Sequence, residues 1–284
     1  MNVDSYKDIK VLAVDADIIC YRVSAMCEDS HVKVLYDAID DYIKNIAKDS
    51  GVEDMIFFIS SETNFRYDVA KSKPYKGTRK NIIRPYFLLT AKSYITTKYS
   101  GFAKDNYEAD DCIASFMTKY DNVAHAGIDK DIKQICGWHY NFVKKEWDFV
   151  SEDEATLRLF RQICQGDAGD NIPGLPRIGE VKAREAVQNP YKAMEEAFAL
   201  YEKVLKTPAN ALGKTKDELD TEILEYFNEQ SLLITMVDDL DIPYFYVTIK
   251  VPQMFETGFS DGWVSESVEY VHKPKPEYKP KLTL

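Results

Sequence analysis

Three short apolar runs constrain this sequence most: KVLAVD (residues 10–15), MIFFI (55–59) and NVAHAGI (122–128). Each has the length of a strand, and none alternates strictly between polar and apolar, so each reads as a strand buried on both faces. Helical periodicity fills the intervals, near 17–26, 35–48, 84–97 and 108–119. Strands alternating with helices predict an α/β fold with a mainly parallel sheet, whose sites lie at the carboxyl ends of the strands. Asp15 and Asp129 each stand at such an end. From Ser151 the pattern becomes helical. Ser151 and Glu154 form an S-x-x-E capping pattern ahead of EATLRLFRQIC, and helical spacing returns near 190–205 and 217–235. Residues 241–251, DIPYFYVTIKV, read as a late strand, and KPKPEYKPKLTL as an extended tail.

Four groups of acids punctuate this plan: Asp15 with Asp17 in VDAD; Glu108, Asp110 and Asp111 in EADD; Asp129 and Asp131 in GIDKD; and Asp167 and Asp170 in GDAGD. Singly, each has a plain structural explanation, because acids suit helix N-termini and Asx turns. Together they are expected where a parallel sheet gathers its strand ends. Like charges gathered there repel, and divalent cations remove that cost. An all-oxygen ligand set, with no His or Cys at metal-binding spacing, suits Mg²⁺ or Mn²⁺. Two such ions about 4 Å apart can activate a water and stabilise the leaving oxygen of a phosphodiester.

The net charge of −11 argues at first against a nucleic-acid partner. Its distribution removes the objection. RYDVAKSKPYKGTRKNIIR (66–84) holds seven basic residues, Arg66, Lys71, Lys73, Lys76, Arg79, Lys80 and Arg84, against Asp68 alone. That stretch carries +6 and leaves −17 for the remainder. Phe65, Tyr67, Tyr75 and Tyr86 interleave with it, so cations can hold a phosphate backbone while an aromatic ring stacks on a base. Beyond GDAGD, Gly174 to Gly179 (GLPRIG) reads as a tight turn opening a helix at Glu180. Its backbone can approach a phosphate closely.

The five cysteines are scattered and form no C-x-x-C, which predicts reduced thiols. The start, MNVDSYKDIK, has no apolar core after a basic head, and no run is long enough to span a membrane. A cytoplasmic protein is expected, in the host cytoplasm if phage-encoded.

The ordered set VDAD, NFRYD, PYKGTR, EADD, GIDKDIKQI and GDAGDNIPGLPRIGEVKA resembles the 5′-nuclease family. That family includes phage 5′→3′ exonucleases, flap endonucleases and the 5′-nuclease part of bacterial DNA polymerase I. The resemblance covers about residues 10–190. It implies a PIN-like core over 1–164, with a basic segment or small arch at 66–107. It also implies a helix–hairpin–helix-type DNA-binding subdomain over 165–235, with a C-terminal extension and tail at 236–284. Carried over by motif, Asp15, Glu108, Asp110 and Asp111 would hold one Mg²⁺-type ion, and Asp129, Asp131, Asp167 and Asp170 the other. Arg66, Lys76 and Arg79 would act near the scissile phosphate, with Tyr75 as a stacking residue. Lys80, Arg84, Gly174, Ile178, Gly179 and Lys182 would contact DNA, with a K⁺ ion at the hairpin. The implied substrate is DNA with a 5′ end or flap, or an RNA–DNA hybrid. Three positions depart from the family pattern. Ile59 or Ser60 stands where an Asp follows the second strand, with Glu62 or water as the substitute. Gly169 replaces a Ser, and Arg177 a Gly. Asp17 has no acidic counterpart and is not expected to be a ligand. Two alternatives remain open: a DNA-binding relative with weakened catalysis, and a haloacid-dehalogenase-type phosphatase with Asp15 as nucleophile.

Overall fold

The computed structural model describes residues 5–250, apart from the side chains of Lys80 and Asn81. The chain runs β1 (Val11–Asp15), α1 (Ala16–Met26), α2 (Val32–Ser50), β2 (Asp54–Phe58), α3 (Arg66–Val69), α4 (Leu88–Lys98), α5 (Ala109–Lys119) and β3 (Val123–Ala126). It continues through β4 (Gly137–Asn141), β5 (Glu146–Val150), α6 (Glu152–Gln165), α7 (Glu180–Ala186), α8 (Ala193–Leu205), α9 (Pro208–Ala211), α10 (Lys216–Ile234) and β6 (Val247–Thr248).

The six strands form one sheet in the order β5-β4-β3-β1-β2-β6. The central pairs β1–β2, β1–β3 and β3–β4 are parallel, and the edge pairs β2–β6 and β4–β5 antiparallel. Both faces are covered, as the unbroken apolar runs require. Leu12, Val14, Met55 and Phe57 pack beneath α1, α2 and α4 through Ile19, Leu35, Ile39, Ile43 and Ile95. Val11, Ala13, Ile56 and Phe58 pack on α5 through Cys112, Ile113 and Phe116. A third core, with Ile163, Leu200, Tyr201, Ile223 and Phe227, joins α6 to α7, α8 and α10. The mixed α/β class with a mostly parallel sheet is as the sequence implies.

Two elements differ from expectation. The late strand shrinks to Val247–Thr248, with residue 251 and the tail outside the described residues. Pro243 has no N–H to give a sheet, and this stretch instead packs Ile242, Tyr244 and Tyr246 over α5. Tyr120 Oη donates to Ile242 O at 2.9 Å. The hairpin β4–β5 has no glycine in its turn: Asn141 Oδ1 accepts from Val143 N and Lys144 N, and Lys145 takes φ 59°. Among the described residues no helix is long and apolar enough to cross a membrane.

Candidate active site

The chain goes from β1 outward to β2, then returns to place β3 on the other side of β1. Their carboxyl ends therefore flank a topological switch point, the crevice where open α/β sheets bind ligands. Asp15 ends β1 and caps α1, its Oδ1 accepting from Asp17 N at 3.0 Å and Ile18 N at 3.4 Å. Asp129 follows β3, and its Oδ1 accepts from Asp131 N at 2.8 Å, starting a short turn. Glu108 and Asp110 occupy the start of α5.

Asp167 and Asp170 come from the loop after α6. Asp167 and Ile172 exchange two backbone hydrogen bonds, of 2.9 and 2.7 Å. The loop closes where Gly166 (φ 74°) crosses Gly174 (φ 55°), and a Cβ on Gly174 would lie 2.3 Å from Gly166 N. Only glycine satisfies both the left-handed backbone and the close approach. Asp15, Glu108, Asp110, Asp111, Asp129, Asp131, Asp167 and Asp170 all line one cleft of about 390 Å³.

The electrostatics of this cleft are unbalanced. Burial, then repulsion from Asp17 and Asp129, raises the Asp15 pKa to about 8. Burial, then Asp15 and Asp129, puts Asp110 well above the carboxylate range. Burial with repulsion from Asp129 and Asp167 raises Asp131 to about 7. Asp110 Oδ1 is enclosed and has no hydrogen-bond partner among the described residues. Among those residues, no three Asp, Glu, His or Cys side chains stand close enough to be a ready-made ion cage. The donor set nonetheless fits hard divalent cations: all oxygen, mutually repelling and with an orphaned oxygen. An ion there would draw the carboxylates together.

Several expected residues have other roles in this structure. Asp111, fully buried, is not a free ligand. Its two oxygens receive both Arg66 terminal nitrogens at 2.7 Å, Glu108 N at 3.1 Å and Val237 N at 3.0 Å. Arg66, expected near a phosphate, is 3% exposed and also donates to Leu233 O and Thr235 O, each at 3.0 Å. The two charges neutralise each other and leave neither for a substrate. Tyr75, expected to stack on a base, is 4% exposed, and its hydroxyl lies 2.8 Å from Glu108 Oε2 and 2.9 Å from Asp170 Oδ2. Its buried ring offers no stacking face.

Lys76 and Arg79 do reach the cleft. Lys76 Nζ pairs with Glu108 and lies 3.8 Å from Asp170, while Arg79 pairs with Asp170 and donates to Gly169 O at 3.2 Å. Burial disfavours the Lys76 ammonium, but Glu108 and Asp170 outweigh it and keep its pKa above the ordinary value. Arg84 is exposed and does not line the cleft, and the side chain of Lys80 lies outside the described ones. In the Gly174–Gly179 turn, Ile178 packs against the helical core and Gly179 has open space where a Cβ would point. Exposed Lys182 donates to Arg177 O at 3.1 Å. This turn does not line the carboxylate cleft apart from the loop that leads into it.

Glu62 is exposed and away from the cleft, so it does not replace the strand-two carboxylate. Ser60 is occupied: its N–H donates to Asp17 Oδ2 at 3.0 Å, and its Oγ accepts from Ala109 N at 3.0 Å. Asp17 is also paired with Lys92 at 2.6 Å. Sequence reasoning did not single out Lys92, which carries no local motif, or Lys130 within GIDKD. Nor did it find the buried pair His125–His139 beside Asp15. His139 Nε2 lies 3.0 Å from Ile135 O and must donate to it, so its Nδ1 accepts from His125 Nδ1 at 3.2 Å. His125 Nε2 therefore keeps a lone pair, pressed against Gly127, where a Cβ would stand 2.2 Å from it.

No family model matches the sequence. The chain is 22% identical over 254 residues to DNA polymerase I of Bacillus caldotenax, covering 79% of this chain and 27% of that protein. It thus spans about a quarter of that relative's length. It is 26% identical over 196 residues to a 5′-3′ exonuclease of Buchnera aphidicola, covering 61% of this chain and 66% of the relative. Among solved structures it resembles the bacteriophage T5 D15 flap endonuclease in a pseudo-enzyme-product complex with DNA and metal ions. The TM-score is 0.61 at 17% identity, covering 80% of this chain and 89% of that one.

Proposed function

We propose that this chain, a relative of the 5′-nucleases in sequence and fold, hydrolyses phosphodiester bonds near the 5′ ends of DNA as an exonuclease or flap endonuclease. The single observation that carries the reading is the cleft at the switch point, where acids from four segments converge beside Lys76 and Arg79. Asp15, Glu108 and Asp110 would hold one Mg²⁺ or Mn²⁺ ion, and Asp129, Asp131, Asp167 and Asp170 the other. When bound, these ions supply charge neutralisation and Lewis-acid activation of water and phosphate.

The chain's own groups do the remaining work. Lys76 and Arg79 now neutralise Glu108 and Asp170. Once those carboxylates are otherwise neutralised, both cations are free to bind the non-bridging oxygens of the scissile phosphate and stabilise charge that develops there. Tyr75 holds Glu108 and Asp170 at a fixed separation. The open backbone at Gly179 approaches a duplex phosphate, with a K⁺ ion at the turn and Lys182 beside it. RNA primers paired to DNA are further substrates. The inferred organisation is a catalytic unit over 1–164, a DNA-binding unit over 165–235 and an extension over 236–284.

The test is cleavage of a 5′-flap duplex and a blunt duplex, each 5′-labelled, in Mg²⁺ and in EDTA, by wild type and by Asp129→Ala/Asp131→Ala. Metal-dependent cutting that the double variant lacks is expected. The occupied Ser60 favours one second reading, a DNA-binding relative with weakened catalysis. Binding of both duplexes without cutting, in Mg²⁺ or Mn²⁺, would replace the first reading with that one. A phosphatase built on Asp15 leaves the basic stretch and the other acids without a role and is not favoured by the relatives found.

A further inference from the structure

The cleft takes parts from two loops far apart in the chain. One, residues 70–79, carries Lys76 and Arg79; the other, Gly166 to Gly174, carries Asp167 and Asp170. They touch directly: Lys76 N donates to Asp170 O, and Asn171 Nδ2 to Pro74 O, both at 2.8 Å. Both are also fastened to one stripe of α10. Tyr226, Glu229, Gln230 and Leu233 follow the i, i+3, i+4, i+7 spacing of a single helix face.

Three of these residues bond a loop backbone or hydroxyl directly. Glu229, 9% exposed, accepts from Lys71 N and Ser72 N at 2.7 Å and from Ser72 Oγ at 2.5 Å. Tyr226 Oη donates to Gly174 O at 2.6 Å, and Gln230 Oε1 accepts from Gly174 N at 3.0 Å. Leu233 O receives Arg66 Nε, from α3 just before the first loop. Tyr226, Glu229 and Gln230 do not line the cleft. The Tyr226 hydroxyl, the Glu229 carboxylate and Gln230 Oε1 are committed to two loops of another part of the chain, and a buried carboxylate costs free energy unless such donors stay in place.

We infer that α10 is a splint. Tyr226, Glu229 and Gln230 fix the loop of Lys76 and Arg79 relative to the loop of Asp167 and Asp170. Through Gly174 they also fix the cleft relative to the Gly174–Gly179 turn. They are positioning residues that set which phosphodiester is cut and how fast. The inference rests on the nuclease reading above.

The experiment is steady-state and single-turnover cleavage of a 5′-labelled flap duplex in Mg²⁺, with products resolved to single nucleotides and folding checked by thermal unfolding. The variants are Glu229→Leu, Glu229→Gln and Tyr226→Phe. Glu229→Leu is expected to lose about 10- to 100-fold in kcat, since ångström-scale misplacement costs that much. Its KM should change by less than about threefold, and its cuts should spread to neighbouring phosphodiesters. Glu229→Gln should restore the wild-type product, because its carboxamide oxygen accepts both N–H groups while its NH₂ donates to Ser72 Oγ. Tyr226→Phe, which keeps the ring, should also spread the cuts and decides the matter if Glu229→Leu does not fold. Wild-type kcat and one unchanged product in the folded variants would overturn the inference alone. A wild type that binds the duplex and never cuts would overturn the nuclease reading, and this inference with it.

Discussion

Asp110 and Asp111 are neighbours in the chain and opposites in environment. Asp111 has Arg66 and two backbone donors, whereas Asp110 has an enclosed oxygen without a partner and faces Asp15 and Asp129. Asp111→Asn should destabilise the fold by about 3–5 kcal/mol, because it leaves the Arg66 charge buried and unpaired. Asp110→Asn should raise the melting temperature in EDTA, because it removes a repelling charge. Both are read by thermal unfolding. The pH dependence follows from the same imbalance. Asp15 and Asp131 titrate near 8 and 7 in the folded chain, against 3.8 for an ordinary Asp. Between those values the folded state binds more protons than the unfolded one, so ion-free stability is fullest at low pH and falls as pH rises from about 4 to about 8. Mg²⁺ should flatten that fall. The sequence grouped Asp110 and Asp111 as equals in EADD. What separates them is Arg66, 45 positions away, and no local spacing encodes that pairing.

At the scale of elements, legibility followed local chemistry. The three buried strands and α1, α2 and α5 stood out because burial on both sheet faces and helical stripes leave strong periodic signals. The β4–β5 hairpin did not, because its turn rests on an Asn side chain instead of glycine. The capping pattern at Ser151 was half right. Ser151 Oγ accepts from Glu154 N, but Glu154 pairs with Arg158 instead of returning to the cap. The glycines of GDAGDNIPGLPRIG look alike in sequence and differ in the fold. Gly174→Ala should cost at least about 1–2 kcal/mol for the left-handed backbone, with the clash against Gly166 adding to it. Gly179→Ala, at φ −107° with empty space around it, should change stability by less than about 0.5 kcal/mol. Denaturant unfolding separates the two. Any loss of duplex affinity in Gly179→Ala then reports the turn itself.

For the whole molecule, polarity matters more than net charge. A chain of charge −11 approaches a polyanion only through its basic stretch, and Lys76 and Arg79 in that stretch are partly consumed by the cleft acids. Duplex binding should therefore be stronger in Mg²⁺ or Ca²⁺ than in EDTA. It should weaken with salt at a slope of about −0.9 per phosphate contacted, which a fluorescence titration at several salt concentrations measures. The fold class was legible in the sequence because strands buried on both faces alternate with helical stripes, whereas the strand order that makes the switch point was not. The anchoring of the two site loops to α10 was not, because it depends on hydrogen bonds between segments more than 50 residues apart.

The most direct measurement is the single-turnover rate at which Asp110→Asn cleaves a 5′-flap duplex at saturating Mg²⁺. If the cleft is the active site, the rate should fall on the order of 10²–10³-fold while the variant still binds the duplex and its melting temperature in EDTA holds or rises. A variant that is folded, binds the duplex and cuts at the wild-type rate would contradict the account.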